Sequence, residues 1–231
     1  YDLVCVLGIE MMRHQATVDA ARYLGAAAWF NHEFTHTPWV WPAVFAEIMN
    51  EYHDRYGLDE AYLSEIARSN FYNARSNSNA QTRNWQLQDR FFERDAEENP
   101  ILEGRLRKYD CSQITDGGAV VFLASQSRAE KYAKKRGLSL EQLPYIRGWG
   151  HRTTSLLYQD KFQEVSEHGY LFPQVHQCFQ DAYRRAGIKS VHEIDGLETH
   201  DCFSITQYMA IEHCGLTKPG EAWQAIEQEA V

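Results

Sequence analysis

Two runs of this chain are apolar without a break. Residues 3–7 read Leu-Val-Cys-Val-Leu and close on Gly8, and residues 119–124 read Ala-Val-Val-Phe-Leu-Ala behind Gly117 and Gly118. Short continuous apolar runs bounded by glycine predict strands covered on both faces. The glycine pair predicts a close backbone approach or an unusual turn. Residues 144–150, ending in glycines, and the apolar-leaning residues 191–197 predict two further strands. Elsewhere the apolar positions recur at helical spacing. Over residues 39–56 they are Val44, Phe45, Ile48, Met49 and Tyr52, with Pro42 in the first turn and Gly57 at the end. Over 59–72 they are Leu63, Ile66, Ala67 and Phe71. Residues 127–136 predict a helix ended near Gly137. Residues 173–186 predict one with Val175, Phe179, Ala182 and Ala186 inward and Gly187 as cap. Residues 204–214 predict one closed by Gly215. Residues 20–30, with three consecutive alanines, fit a helix or a packed turn. The polar stretch 73–81 predicts a loop, and 90–98 a charged face. Buried strands alternating with helices define an α/β fold with mostly parallel pairing.

Composition narrows the classes. With 231 residues the chain suits one large domain or two small ones, and 44% apolar residues argue for a globular chain. A net charge of -9 argues against general nucleic-acid binding, which needs clustered Lys and Arg. The basic run at 131–136 reads as a solvated helix face. Cys5, Cys111, Cys178, Cys202 and Cys214 are odd in number and widely spread, the pattern of free thiols in a reducing compartment. No apolar run reaches membrane-spanning length. No signal peptide is visible, and both ends read as cut from a longer protein. The cytoplasm is the default location, with peroxisome or mitochondrion open for a eukaryotic source.

The candidate chemistry lies at Glu198-Thr199-His200-Asp201-Cys202-Phe203, between the expected strand 191–197 and the helix from Ser204. In extended backbone His200 and Cys202 share one side and Asp201 takes the other. The first N–H groups of a helix are unpaired and partly positive, so a thiol there is expected to have a lowered pKa. An imidazole beside it can donate to a developing oxyanion. The structural alternative stands beside this: a lone cysteine usually packs, and His next to Asp is often a simple hydrogen-bonded pair. No metal site is expected, since zinc-type Cys and His pairs are absent nearby. Cys111 is read mainly as packing.

Several segments occur together in thiolase order. They are residues 2–11, Asn73-Ala74 with 77–81, Asp110-Cys111-Ser112-Gln113-Ile114-Thr115-Asp116-Gly117-Gly118-Ala119, Ala186-Gly187-Ile188, and Glu198 to Phe203. The chain resembles the sterol-carrier-type and lipid-transfer-type thiolases, also named acetyl-CoA acetyltransferases. The His-Asp-Cys-Phe form points to this branch. The resemblance implies part of a five-layered α/β/α/β/α body with a helical loop-domain insertion. Residues 1–143 would be the later part of the first half, with the loop domain at about 9–115, and 144–231 the start of the second.

The resemblance also implies site roles. His200 would hold a water or thioester oxygen in an oxyanion site, and Cys202 would shuttle the proton. Phe203 would line the acyl or pantetheine channel, and Asp201 would orient the loop. The implied reaction is thiolytic cleavage of a 3-ketoacyl-CoA, or the reverse Claisen condensation, through a cysteine acyl-enzyme. Such chemistry belongs to fatty acid beta-oxidation, lipid metabolism and lipid transfer. Coenzyme A and acyl-CoA would be substrates, with no permanently bound cofactor. A homodimer or a dimer of dimers would be the assembly. The expected nucleophilic cysteine and the Gly-His-Pro motif do not occur in these 231 residues. Alternatives are a retro-aldolase with a small OB-fold and zinc-ribbon partner, or a non-catalytic acyl-CoA or lipid binder.

Overall fold

A computed structural model describes residues 1–29, 32–163 and 169–231, so Phe30, in the stretch expected as helix or turn, lies outside the described residues. The strands are β1 (Leu3–Glu10), β2 (Ile101–Glu103), β3 (Leu106–Arg107) and β4 (Gly117–Ala124). The helices are α1 (Thr17–Gly25), α2 (Val40–Tyr56), α3 (Ala61–Ser76), α4 (Gln126–Arg136), α5 (Tyr158–Gln163), α6 (Pro173–Ala186), α7 (Ser204–His213) and α8 (Ala222–Glu227). They fall into two compact units, residues 1–20 with 113–147, and residues 21–112 with 148–231.

The first unit is a ribbon with helix α4 and the start of α1. β1 and β4 pair antiparallel, from Leu3 opposite Ala124 to Glu10 opposite Gly117. Gly117 and Gly118 therefore sit inside β4 rather than in a special turn. Asp116 closes this end, its Oδ1 accepting the N–H groups of Met12 (2.7 Å) and Arg13 (2.8 Å). Those two bonds hold its carboxyl below the usual range. Ser125 caps α4 by accepting from the Arg128 N–H, and Gly137 ends the helix in the left-handed conformation at φ 70°.

Two expectations fail here. The described strands pair antiparallel, not parallel. And β1 and β4 are exposed along their whole length, Leu7 at 63% and Phe122 at 62%. An uninterrupted apolar run reports a strand suited to cover on both faces. A two-stranded ribbon has no layers of its own to supply it.

The second unit is helical with a packed core. α2, α3 and α7 supply fully buried Met49, Tyr52, Leu63, Ile205 and Tyr208, and Leu106 of β3 joins them. α2 and α7 match the expected spacing closely. α3 runs four residues beyond the expected 72. Arg75 lies over the Tyr72 ring at 4.1 Å, which favours a further turn. The Asn77 side chain then accepts from the Asn79 N–H and starts the real turn.

Three more expectations are corrected. Residues 144–150 form no strand. Gly148 and Gly150 lie flat on α6, where a Cβ would stand 2.2 Å from the Ala182 carbonyl oxygen and 2.0 Å from that of Cys178. Residues 191–197 form no strand either. The Ser190 side chain accepts from the His192 N–H, a 3-10 turn covers Val191–Glu193, and Asp195 and Gly196 disfavour extended backbone beyond it. In α6, Val175 is 42% exposed, and the helix buries Pro173, Asp181 and Tyr183 instead. Asp181 is paired with Arg152 and Arg184, so the buried face is partly ionic and an apolar stripe does not find it.

Candidate active site

The site turn sits in the second unit, where α7 begins. Phe203 is extended at φ −142° and ψ 142° and gives α7 no side-chain cap. It bridges antiparallel to Cys111, and the next N–H along, that of Ser112, donates to the Cys202 carbonyl at 2.9 Å. Phe203 is 8% exposed and stacks on Phe45 of α2, ring centroids 4.0 Å apart. The side chain expected to line a channel is thus packed in the core.

Cys202 is half-buried against that core. Burial pushes its thiol above the ordinary cysteine range, while the Thr206 side chain and the local backbone pull it down by less. The expected lowering by the helix start is therefore reversed, because desolvation disfavours thiolate more than the partly positive N–H groups favour it. The consequence is chemical. Cys202 is held as a neutral S–H at neutral pH, poor as a nucleophile and able to give its proton only to a strong base such as an enolate.

His200 is exposed, and its carbonyl accepts from the Thr199 hydroxyl at 3.0 Å. Asp201 is half-buried. Asn70 of α3 donates to Asp201 Oδ2 at 2.7 Å and to Gln207 Oε1 at 2.8 Å, tying the turn to α3 and to α7. Burial pushes the Asp201 carboxyl up to about 6, against the stabilising bonds from Gln207 and Asn70.

A cleft of about 800 Å³ opens beside the turn, its lining including Asn70, His192, Asp195, Thr199, Asp201 and Gln207. Thr199 and Asp201 thus share one side, while His200 and Cys202 do not line this cleft. The alternation expected from extended backbone holds for that side, and this cleft does not have Cys202 in its lining.

A charged chain backs the turn. The Ser204 hydroxyl donates to Asp110 Oδ1 at 2.8 Å. Asp110 Oδ2 accepts from Arg94 Nη1 at 2.8 Å and from the Arg107 N–H at 2.8 Å. Arg94 Nη2 reaches Glu60 at 2.6 Å and the Arg105 carbonyl at 2.7 Å, and Arg105 pairs with the other Glu60 oxygen at 2.8 Å. The stretch expected as a charged face therefore turns Arg94 inward. Cys111, beside Asp110, has its thiol pushed up to about 12 by burial, then by the charges of Asp110 and Cys202, so it is inert at neutral pH.

Farther along α7, Glu212 and His213 are both fully buried. Glu212 Oε1 accepts from the Tyr52 hydroxyl and from the N–H groups of Gly220 (3.0 Å) and Ala222 (3.2 Å). Burial nevertheless pushes it up to about 7. His213 accepts from the Phe172 N–H at 3.0 Å through Nε2, and its Nδ1 meets the Met209 carbonyl, an arrangement that fits the neutral ring. Burial pulls it down to about 4. Among the described residues no group of three or more His, Cys, Asp or Glu side chains is arranged to hold a metal ion.

Sequence reasoning missed Asn70, Arg94, Asp110 and Ser204. Asp110 opens one of the segments that carry the resemblance and Ser204 directly follows another, so position was an available signal. Asn70 lies on the polar side of α3 and carried none.

Residues 159–231 match the family described as "Thiolase C-terminal domain-like". The chain is 25% identical over 228 residues to an acetyl-CoA acetyltransferase of Methanothermobacter thermautotrophicus, covering 98% of this chain and 54% of that protein. Against the acetyl-CoA acetyltransferase of Methanocaldococcus jannaschii it is 24% identical over 230 residues, covering 100% and 54%. Sterol carrier protein 2 of Gallus gallus is 23% identical over 193 residues, 81% of this chain and 32% of that protein. Among solved structures, one titled "Ltp2-ChsH2(DUF35) aldolase" superposes with a TM-score of 0.68 at 20% identity, covering 98% of this chain and 55% of the other. Residues 159–231 are thus thiolase-like in sequence, and the fold is a partial thiolase-like α/β fold. It spans about half the length of the acetyl-CoA acetyltransferases it matches. No described helix is long and apolar enough to cross a membrane.

Proposed function

We propose that this chain is part of a thiolase-type acyltransferase that cleaves 3-ketoacyl-CoA with coenzyme A, or runs the reverse condensation. The observation that carries the reading is Cys202, a half-buried thiol held protonated at the start of α7. In cleavage, a cysteine thiolate supplied from outside these 231 residues attacks the 3-keto carbon. The C2–C3 bond breaks, and its electron pair leaves as the enolate of an acetyl thioester. Cys202 gives that enolate its proton. His200 donates a hydrogen bond to the thioester oxygen while the charge is there. Asp201, clamped by Asn70, orients the turn. Phe203, stacked on Phe45, forms the wall behind the thiol. Coenzyme A then takes the acyl group from the nucleophile. The relatives named acetyl-CoA acetyltransferase support this reading over others.

The fold neighbour named an aldolase favours a second reading, cleavage of a β-hydroxyacyl-CoA to an aldehyde with a small OB-fold partner. One assay separates the two. The full-length protein is given acetoacetyl-CoA with coenzyme A, and separately a β-hydroxyacyl-CoA. Loss of the acetoacetyl thioester upholds the first reading. Aldehyde release without thiolysis replaces it with the second, and no turnover of either substrate leaves a binding protein.

A further inference from the structure

We infer that Asp110 and Ser204 are positioning residues for the Cys202 thiol, with Arg94 and Glu60 holding Asp110 in place. The inference rests on the reading that Cys202 moves the proton.

The site turn is fixed from both ends. Upstream, Asn70 grips Asp201. Downstream, the first residue of α7 is gripped by Asp110, which lies 94 positions away in sequence. Between these points the Cys202 carbonyl is taken by the Ser112 N–H, and Phe203 faces Cys111. Three successive residues, Asp110 to Ser112, thus contact three successive residues, Cys202 to Ser204. This leaves the sulfur little freedom beyond its own side-chain rotation.

The contact is costly enough to call for an explanation beyond packing. Asp110 is 3% exposed and Ser204 4%. A buried carboxylate is tolerated only when it is paired and hydrogen-bonded. Here the charges balance, Glu60 and Asp110 against Arg94 and Arg105. An apolar contact would bury the same helix end at less risk but would fix no direction. A helix start that lacks a side-chain cap at Phe203 instead takes its orientation from a rigid carboxylate. Proton transfer needs that precision, since the heavy atoms must approach to roughly 2.6–3.2 Å, and a displacement of about 1 Å can cost roughly a hundredfold in rate.

The test uses the full-length protein with Ser204→Ala, which removes one hydroxyl and leaves Asp110 its bonds to Arg94 and Arg107. Ser204→Thr serves as the conservative variant that restores a hydroxyl. Two readouts are taken at matched circular dichroism and melting temperature. One is kcat and KM for thiolysis of acetoacetyl-CoA. The other is the rate of Cys202 alkylation by iodoacetamide, monitored by mass spectrometry of the Cys202 peptide. Ser204→Ala is expected to lower kcat about tenfold with KM within about twofold, and to change the alkylation rate by about threefold or more. Ser204→Thr is expected to restore both in large part. Unchanged kcat and unchanged alkylation in a folded Ser204→Ala protein overturn the inference. So does a loss that tracks a fall in melting temperature and that Ser204→Thr does not repair. If the unaltered protein turns over no thioester, the functional reading fails and the alkylation arm alone decides the positioning claim.

Discussion

Every residue of β1 and of β4 is exposed, whereas α7, ten residues long, buries seven of its own. The ribbon is the more continuously apolar of the two, and α7 carries Ser204, Glu212 and His213 among its buried residues. Burial therefore depends on what lies beside an element, not on how apolar it is. The ribbon's single partner gives it backbone hydrogen bonds and no cover. The helical unit surrounds α7 on several sides, so even charged and hydroxyl side chains there are enclosed and find partners. The consequence for function is direct. Shifted proton affinities at Cys202, Asp201, Glu212 and His213 arise in that enclosed unit.

Removing aliphatic side chains from the two regions of the 231-residue chain should have very unequal effects. Leu63→Ala empties a fully buried position and is expected to cost about 2–5 kcal/mol in urea unfolding monitored by helical circular dichroism. A cost below roughly 1 kcal/mol would mean that the helical core is loosely packed.

The second test uses pH. Glu212 is raised in the fold, so the stability it contributes is complete below about pH 4.5 and is lost as pH rises through about 7. His213 is lowered, so its contribution is complete above its ordinary value of 6.5 and is lost as pH falls through about 4. Their slopes oppose one another between about pH 4.5 and 6.5, and Asp201 adds to that of Glu212. Glu212→Gln removes one slope. The variant is expected to gain stability relative to the parent as pH rises from 4.5 to 7, by up to roughly 3 kcal/mol. A difference that stays constant across chemical denaturation at several pH values would show that Glu212 does not titrate in this window.

A smaller effect is expected at the site turn. Asn70→Ala removes the donor shared by Asp201 and Gln207 and is expected to cost about 1 kcal/mol. Hydrogen exchange should quicken at the amides of residues 201–207 and stay unchanged in α2. Exchange that quickens everywhere would mean a global loss instead of a local clamp. The smallest effect belongs to the ribbon. Val121, 56% exposed, can become Thr with a change within about 0.5 kcal/mol. A cost of several kcal/mol there would reveal cover that the described residues do not show.

The helices are legible in the sequence because each writes its own limits into the chain. Pro42 and Gly57 bracket α2, Gly137 and Gly187 end α4 and α6 in the left-handed conformation, and a helix closes its hydrogen bonds internally. The strands are less legible because a strand is completed by its neighbours. The runs at 144–150 and 191–197 have strand-like content, but no neighbouring strand among the described residues pairs with them. The start of α7 just after Phe203 is legible from the helical pattern beyond it. The direction of the Cys202 shift is not, because the charge of a helix start can be read from sequence and the depth of burial cannot. The clamps are also out of reach. Asn70 to Asp201 and Asp110 to Ser204 span 131 and 94 positions, and no local pattern marks such pairs.

If Cys202 carries a proton to and from the carbon beside a thioester, the protein should exchange that carbon's hydrogens with solvent. The most direct test tracks deuterium from heavy water into the methyl group of acetyl-CoA, with the full-length protein and its Cys202→Ala variant. Steady incorporation is expected with the unaltered protein, and a fall of about a hundredfold or more with Cys202→Ala, the fold being unchanged. Equal incorporation by the two proteins would contradict a proton-carrying role for this thiol.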